Sequence, residues 1–492
     1  MFSFYGPLNF FFTFDFICVT ILKIYFNSVY WEAILFYSLK GGLMERKGFN
    51  SNFGMIMAAV GSAVGLGNIW RFPYIVGTNG GGAFLLVYVL ICLVIGVPIL
   101  MSEILIGRRA KSDCVDSFKK LAPGKKWYIS GIIAVIASFL ILSFYSVVAG
   151  WSLEYIYRSL TNAFAGKSPE EISNLFTGFI SSPIRPIAWT FVFMLMTMLI
   201  VRSGIDKGIE KVSKIAIPIL LLIVICLGIR GLTLEGGREG LHFLFYPDFS
   251  KFTMAGFLAA LGHSFFTLSL GMAIMTTYGS YVSDDNNIVK SAFSIAFFDT
   301  LIAILAGIAI FTSVFTFNLD PTQGAGLAFV TLPNVFPRMP GGYLFGVAFF
   351  VLLALAALTS TISLLESSVA FGVDSLKLSR KKASVLAAAG IFLLSILSSL
   401  SNGANSSLQI AGLTFFDFLD KLTSNYMLTS AAFIEIIFLG WFYDKEAIFD
   451  ELSNHHTLEQ KAFKAYYLAL KYITPLAMVL IILSSLGILK SA

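Results

Sequence analysis

The chain has 492 residues, 57% of them hydrophobic and only 13% charged, with a mean hydropathy of +0.83 and a formal net charge of +6. Soluble domains carry about 25% charged residues, so the composition excludes a soluble enzyme or binding module and points to a chain that crosses a membrane repeatedly. The basic residues are dispersed with no basic domain, which excludes nucleic acid as a partner. The four cysteines (Cys18, Cys92, Cys114, Cys226) have neither CxxC nor zinc spacing and read as small buried hydrophobes.

Residues 1–43 are apolar and aromatic but interrupted by Asp15, Lys23 and Glu32, and no small-residue cleavage site follows them. Lys40-Gly41-Gly42 can be encoded by AAA-GGA-GGT, a purine-rich ribosome-binding sequence just ahead of the Met44 codon. The segment reads either as translated leader before a start at Met44 or as an extra N-terminal membrane helix.

Crossing a bilayer takes about 20 apolar residues per helix. From Met44 onward the sequence predicts an all-α membrane protein with eleven spans: 53–76, 83–106, 128–160, 187–202, 211–229, 255–281, 288–315, 343–376, 383–400, 408–441 and 463–488. The first is unusual. Gly61-Ser62-Ala63-Val64-Gly65-Leu66-Gly67-Asn68-Ile69-Trp70-Arg71-Phe72-Pro73 sets three glycines and two costly polar side chains, Asn68 and Arg71, at membrane depth. A span that breaks its own helix there offers bare carbonyls and amides to a ligand. The second span carries Pro98 and ends at Glu103-Ile104-Leu105-Ile106-Gly107-Arg108. The sixth again mixes hydroxyls and glycines at mid-span, in Leu261-Gly262-His263-Ser264-Phe265-Phe266-Thr267-Leu268-Ser269-Leu270-Gly271-Met272.

Two interrupted spans five apart are the pattern of an inverted repeat with the site between the halves. The predicted organisation is a first repeat over 44–229, a second over 230–442, and a polar loop with the eleventh span over 443–492. Basic loops follow the second span (Arg108, Arg109, Lys111, Lys119, Lys120, Lys125, Lys126), the fourth (Arg202, Lys207, Lys211, Lys214) and the eighth (Lys377, Arg380, Lys381, Lys382), whereas 401–407 holds no Lys or Arg. Basic loops face the cytoplasm. This places the Met44 end and the loop 443–462, with its solvated His455-His456, inside, and the C-terminus outside.

Gly61 to Pro73, followed by Asn79-Gly80-Gly81-Gly82-Ala83-Phe84, resembles the signature of the neurotransmitter:sodium symporter family. So do Phe265-Phe266-Thr267-Leu268-Ser269-Leu270-Gly271 and Leu358-Thr359-Ser360 with Asp374-Ser375-Leu376-Lys377-Leu378-Ser379-Arg380. The resemblance runs from about Met44 to the end. It implies the LeuT fold, with a 5+5 inverted repeat and broken first and sixth helices. It also implies sodium-driven amino-acid uptake across the plasma (inner) membrane, by a monomer or weak dimer.

Residue by residue, the resemblance implies two sodium sites. The first uses the Ala63 carbonyl, Asn68, Thr267 and Asp299, completed by the substrate carboxylate. The second uses the carbonyls of Gly61, Val64 and Ala356 and the hydroxyls of Thr359 and Ser360, oxygen ligands of the kind a hard cation takes. Taken alone, those hydroxyls read equally as bonding back to the preceding helical turn. The family usually has Asn where this chain has Asp299, and a chloride-coordinating serine where it has Ala303. The resemblance therefore implies chloride independence, with sodium balancing Asp299. His263 stands where the family usually has Gln; it is either a satisfied core residue or a proton partner of Asp299.

The implied substrate site receives a carboxylate at the Leu66 and Gly67 amides and the Tyr145 phenol. It receives an ammonium at the carbonyls of Ala63, Phe266 and Thr267 and at Ser269. The side chain meets Ile141, Met272, Leu364 and Phe266, with Ser62 and Ser360 at the edge. Family members that carry monoamines have Asp at the position of Gly65, so Gly65 implies a substrate that brings its own carboxylate. Apolar walls favour a neutral amino acid. The implied outer gate pairs Arg71 with Asp420 above Tyr145 and Phe266, with Asp417 as a further vestibule charge. The implied inner gate pairs Arg46 with Asp374, supported by Ser280 and Tyr281, with Phe49 where the family has Trp; alone, Arg46 reads as a solvated cytoplasmic cation. Glu103 is expected to tie down the broken first span. The alternative function is a non-transporting sensor or scaffold of the same fold; no nucleophile–base pair or metal motif suggests an enzyme.

Overall fold

A computed structural model describes residues 48–317, 327–405, 407–453 and 459–488. Residues 1–43, Arg46 and His455-His456 lie outside the described residues. Among the described residues, nine continuous helices are long and apolar enough to cross a membrane: Gly82–Ala110, Tyr128–Leu160, Arg185–Arg202, Ile205–Leu232, Ile288–Thr316, Gly342–Asp374, Arg380–Ala404, Phe415–Phe442 and Gln460–Ser485. The first segment is a bent pair, Asn52–Ala63 and Gly67–Thr78, turning by 48°. The sixth is apolar but interrupted, with Met254–Thr267 and Ile274–Gly279 on either side of its break. In chain order these elements fill the eleven predicted segments.

Both breaks have a local cause. In the first, Val64 turns extended (φ −78°, ψ 100°) just ahead of Gly65. In the sixth, Ser269, Gly271 and Ala273 all adopt left-handed backbone (φ 56°, 70° and 57°), which no right-handed helix can absorb. Gly271 is doubly required, because a Cβ there would stand 2.3 Å from the Leu428 carbonyl of the tenth span.

The third and eighth spans, each 72% buried over their apolar windows, form the centre. The fourth and eleventh, each 33% buried, form the rim. Residues such as Leu222, Phe297, Leu393 and Leu476 make the exposed apolar surface that a bilayer covers. Cys92 and Cys114 are buried as expected, but Cys226 is exposed on the fifth span.

The tenth span begins later than the apolar run suggests. Gln409–Ile410 and Leu413–Thr414 form a two-stranded hairpin, with Gln409 opposite Thr414, about a left-handed Ala411-Gly412 turn. The helix starts only at Phe415, where Thr414 accepts from the Asp417 amide. Short extramembrane helices at Cys114–Leu121, Pro169–Ile180, Gly237–Phe245 and Lys445–Ser453 were not predicted, since a search for long apolar runs misses short amphipathic pieces. One carried a legible signal: Ser168 and Glu171 form a capping box ahead of Pro169–Ile180.

The second span lies against the C-terminal half of the sixth with almost no side chain between them. A Cβ on Gly107 would fall 1.8 Å from the Thr276 carbonyl, and one on Gly279 would fall 2.4 Å from that of Ile104. Small residues allow this backbone approach in membrane helices. Gly107→Ala is expected to lower stability by about 1–3 kcal/mol, the cost of overpacking, read as a lower thermal midpoint of the detergent-purified protein.

Candidate functional site

Between the two breaks and the third and eighth spans lies a cavity of about 340 Å³. Its polar side is made by Ser62, Ala63, Gly65 and Gly67 of the first span and Thr267 and Ser269 of the sixth, with Tyr145 and Ser360 closing it. Its apolar side is Ile141, Phe266, Met272, Ile274 and Leu364. Ile274, the first residue of the sixth span's C-terminal half, escaped the sequence reading. Leu66 does not line the cavity; its amide donates to the Tyr145 phenol oxygen at 2.8 Å and so positions that ring.

The two breaks are joined directly. Ser62 Oγ donates to Ser269 Oγ at 3.0 Å, and Ser269 Oγ donates to the Ser62 carbonyl at 3.1 Å. Gly65 sits so close to the third and eighth spans that a Cβ would lie 2.6 Å from both Tyr145 OH and Ser360 Oγ.

Asp299, fully buried in the seventh span, gathers one group of polar side chains. Its Oδ1 accepts from Asn68 Nδ2 at 2.6 Å and from Thr267 Oγ1 at 2.9 Å, and its Oδ2 from Tyr88 OH at 3.2 Å. Asn68 Oδ1 accepts from the Gly65 amide at 3.0 Å, folding the first break around this carboxylate. No cation lies among these donors; each is a neutral dipole. Ala303, one turn on, is buried and offers no polar atom.

A second group lies between the first and eighth spans. Ser360 Oγ reaches the carbonyls of Ser62, Gly61 and Val64 at 3.2, 3.4 and 3.5 Å. Thr359 Oγ1 instead bonds back to Leu355 and Ala356 at 3.2 and 3.1 Å, the local alternative for a helical hydroxyl. A Cβ on Gly61 would meet Thr359 Cβ at 2.9 Å, so glycine permits this contact.

Two expectations about buried polar residues change. Glu103 ties down the sixth span, not the first: its Oε1 accepts from the Gly271 amide at 2.7 Å, the donor freed by the left-handed turn. His263 is not a satisfied core residue. It lies between the rings of Phe72 and Tyr88, at 5.8 and 5.5 Å, with neither ring nitrogen hydrogen-bonded.

Above the cavity, Arg71 Nη1 stands 3.8 Å from Asp420 Oδ1, with both side chains about one-third exposed, and its guanidinium lies 4.9 Å over the Phe266 ring. Asp417 is occupied elsewhere, accepting from Thr414 Oγ1 at 2.8 Å at the start of the tenth span. Below the cavity, Arg46 lies outside the described residues. Tyr281 OH donates to Glu366 at 2.7 Å, and Glu366 is also held by Arg380, so this tyrosine is committed to the eighth span. Ser280 Oγ caps its own helix at the Thr277 carbonyl. Phe49 packs edge-on to Tyr278 and Tyr281. Glu366 was missed, although a carboxylate inside Leu364-Leu365-Glu366 carries the signal of any intramembrane charge.

Two broken spans around a half-polar cavity define a secondary transporter. The family model described as "Sodium:neurotransmitter symporter family" matches residues 46–177 and 180–492, and the chain belongs to this family. It is 42% identical over 440 residues to the uncharacterized sodium-dependent transporter YhdH of Bacillus subtilis, covering 89% of this chain and 98% of that one. It is 25% identical over 468 residues to the human sodium- and chloride-dependent GABA transporter 2, covering 84% and 76%. The solved structure of MhsT in complex with L-phenylalanine superposes with a TM-score of 0.84 at 45% identity, covering 90% of this chain and all of that one. The fold is therefore the LeuT fold, and the protein is a multi-pass, sodium-dependent transporter, not an enzyme.

Between the second and third spans, Asp113 caps Cys114–Leu121 and donates its amide to Asp374 Oδ2 at 2.7 Å. Burial, with the charges of Asp116 and Asp374, pushes its carboxyl from 3.8 up to about 7. A raised folded-state value means that the native state holds a proton the unfolded chain has released, so stability falls as pH rises between about 4 and 7. Asp113→Asn keeps the cap. It is expected to stabilise the protein by roughly 1–3 kcal/mol at pH 8 and to match the parent near pH 4, as read from thermal midpoints across that range.

Proposed function

We propose that the chain imports a neutral, predominantly hydrophobic amino acid together with sodium, by alternating access through the inner (plasma) membrane, with its Met44 end cytoplasmic. One observation carries this reading: the main chain freed at both breaks and five hydroxyls line one cavity whose other wall is apolar, and the buried carboxylate of Asp299 stands directly behind one of those hydroxyls, Thr267. The substrate carboxylate would lie at the Leu66–Gly67 end of the first span's outer half, where the helix dipole favours an anion and the Tyr145 phenol, held by the Leu66 amide, can donate to it. The ammonium would meet the carbonyls of Ala63, Phe266 and Thr267 and the Ser269 hydroxyl. Ile141, Met272, Ile274 and Leu364 would take an apolar side chain. The phenylalanine named in the MhsT complex has this chemistry.

Two sodium ions fit the two polar groups. One would replace the donors around Asp299, taking Ala63, Asn68, Thr267, Asp299 and the substrate carboxylate as ligands. The other would sit between Gly61, Val64, Ala356, Thr359 and Ser360, with the Ser360 and Thr359 hydroxyls turned to present oxygen rather than hydrogen. A fixed carboxylate at the first position supplies the negative charge that members named for chloride take from solution. Sodium would favour the outward-open form because it binds that form more tightly.

Binding of radiolabelled leucine and phenylalanine, then uptake into proteoliposomes, tests the reading. Binding that needs sodium, uptake against a gradient and no change when gluconate replaces chloride are expected. Binding without uptake would leave the sensor alternative, and loss of uptake in gluconate would remove the role given to Asp299. Gly65→Ala is expected to weaken sodium-dependent binding roughly tenfold, about 1.4 kcal/mol, because its methyl displaces Tyr145 and Ser360.

A further inference from the structure

A second cavity, of about 320 Å³, lies away from the first, between the fifth, seventh and eighth spans and the short helical segment Leu332–Arg338. Leu227, Ile310, Leu332, Phe336 and Phe349 make its walls. Ser313 contributes no free donor, since its hydroxyl bonds back to the Ala309 carbonyl at 2.8 Å. The one charged group in the lining is Arg230, in the last turn of the fifth span.

Arg230 is half-buried, stands 5.9 Å over the Phe345 ring and gives one N–H to Thr233. No carboxylate among the described residues pairs with it. A guanidinium carries five donors in a planar fork that matches phosphate, so most of its hydrogen-bonding capacity is unspent. Its neighbour Ile229 is 58% exposed and Leu344, beside Phe345, is 69% exposed, so the slot adjoins the apolar surface that meets lipid. The slot is partly open toward that surface, where the neighbouring phase is hydrocarbon.

We propose that this slot binds an anionic phospholipid, with one acyl chain between the fifth, seventh and eighth spans and the headgroup phosphate on Arg230. The charge selects the headgroup and the walls select the chain. The site rests on Arg230 and the slot, not on the transport reading.

Native mass spectrometry of the full chain, delipidated in detergent and titrated with phosphatidylglycerol or phosphatidylcholine of the same chains, tests this. One phosphatidylglycerol is expected to be retained roughly fivefold more than phosphatidylcholine, the scale of one arginine against an anionic lipid. Arg230→Gln should remove that preference, and Ala309→Phe should reduce retention of both lipids by filling the slot. Arg238→Gln, a change at an exposed cation in the next helix, should alter neither. Thermal midpoints guard against misfolding: phosphatidylglycerol should raise that of the parent and of Arg238→Gln but not that of Arg230→Gln. Equal retention of the two lipids by the parent, or an unchanged preference in Arg230→Gln, would overturn the proposal.

Discussion

A main chain that leaves the helix inside a membrane must find partners for every amide and carbonyl it releases, because lipid offers none. The whole centre of this protein answers that demand. The Leu66 amide goes to Tyr145 of the third span, the Gly65 amide to Asn68, and the Gly271 amide to Glu103 of the second. The Ser62 carbonyl takes hydroxyls from Ser269 and Ser360. Each span around the cavity is thus held by groups freed at a break, and the glycines at 61, 65, 107 and 271 let the backbones come close enough for this. Carbonyls satisfied by rotatable hydroxyls remain able to exchange those hydrogens for a cation, which fully helical carbonyls cannot do.

Much of this was legible in the sequence because helix-breaking and charge are both costly at membrane depth. Gly61 to Pro73 marked the first break, and the hydroxyl-rich run to Met272 marked the sixth. Asn68, Thr267 and Asp299, far apart in the chain, do meet in the structure. What the sequence concealed were matters of direction and of local geometry. Glu103 could have served either break; only the left-handed turn at Gly271 exposes an amide toward it. Asp417 and Asp420 are three residues apart on one helix, yet the first is consumed by Thr414 while the second faces Arg71. The hairpin at 409–414 was hidden inside an apolar run whose hydropathy alone suits a helix.

The buried carboxylates divide by the partners they keep. Glu154 is matched by Arg158, Arg185 and Trp189, Glu210 by Lys214 and the Ser51 hydroxyl, and Glu366 by Arg380 and Tyr281. These have cations beside them and hold helices together. Asp299 and Glu103 have none; they are met by an amide, hydroxyls and a main-chain N–H. A buried charge without a countercharge is expensive, and its persistence beside a cavity is the mark of a group whose partner arrives from solution. Of the two, Asp299, next to the first break and bonded to Thr267 of the cavity lining, is the one to which the proposed function assigns a sodium ion.

The two sides of the cavity are closed by very different means. On the Arg71 side, the proposed outer one, a pair at 3.8 Å with each side chain about one-third exposed and one aromatic ring separate it from solution, and exposed ion pairs contribute only about 0–1 kcal/mol. Inside, the first span's start is held by Glu210 through the Asn50 amide and Ser51. Tyr281 is held by Glu366, itself clamped by Arg380, and Asp374 takes the Asp113 amide. The contacts on this second side are hydrogen bonds to buried carboxylates, each worth about 1.5–3 kcal/mol, so in the proposed orientation opening outward is the cheaper excursion from this arrangement. A transporter built this way would rest facing the side from which sodium and substrate arrive. It would turn inward only when ligands bound between the breaks repay the loss of the inner contacts, which is the condition that keeps sodium from leaking down its gradient alone.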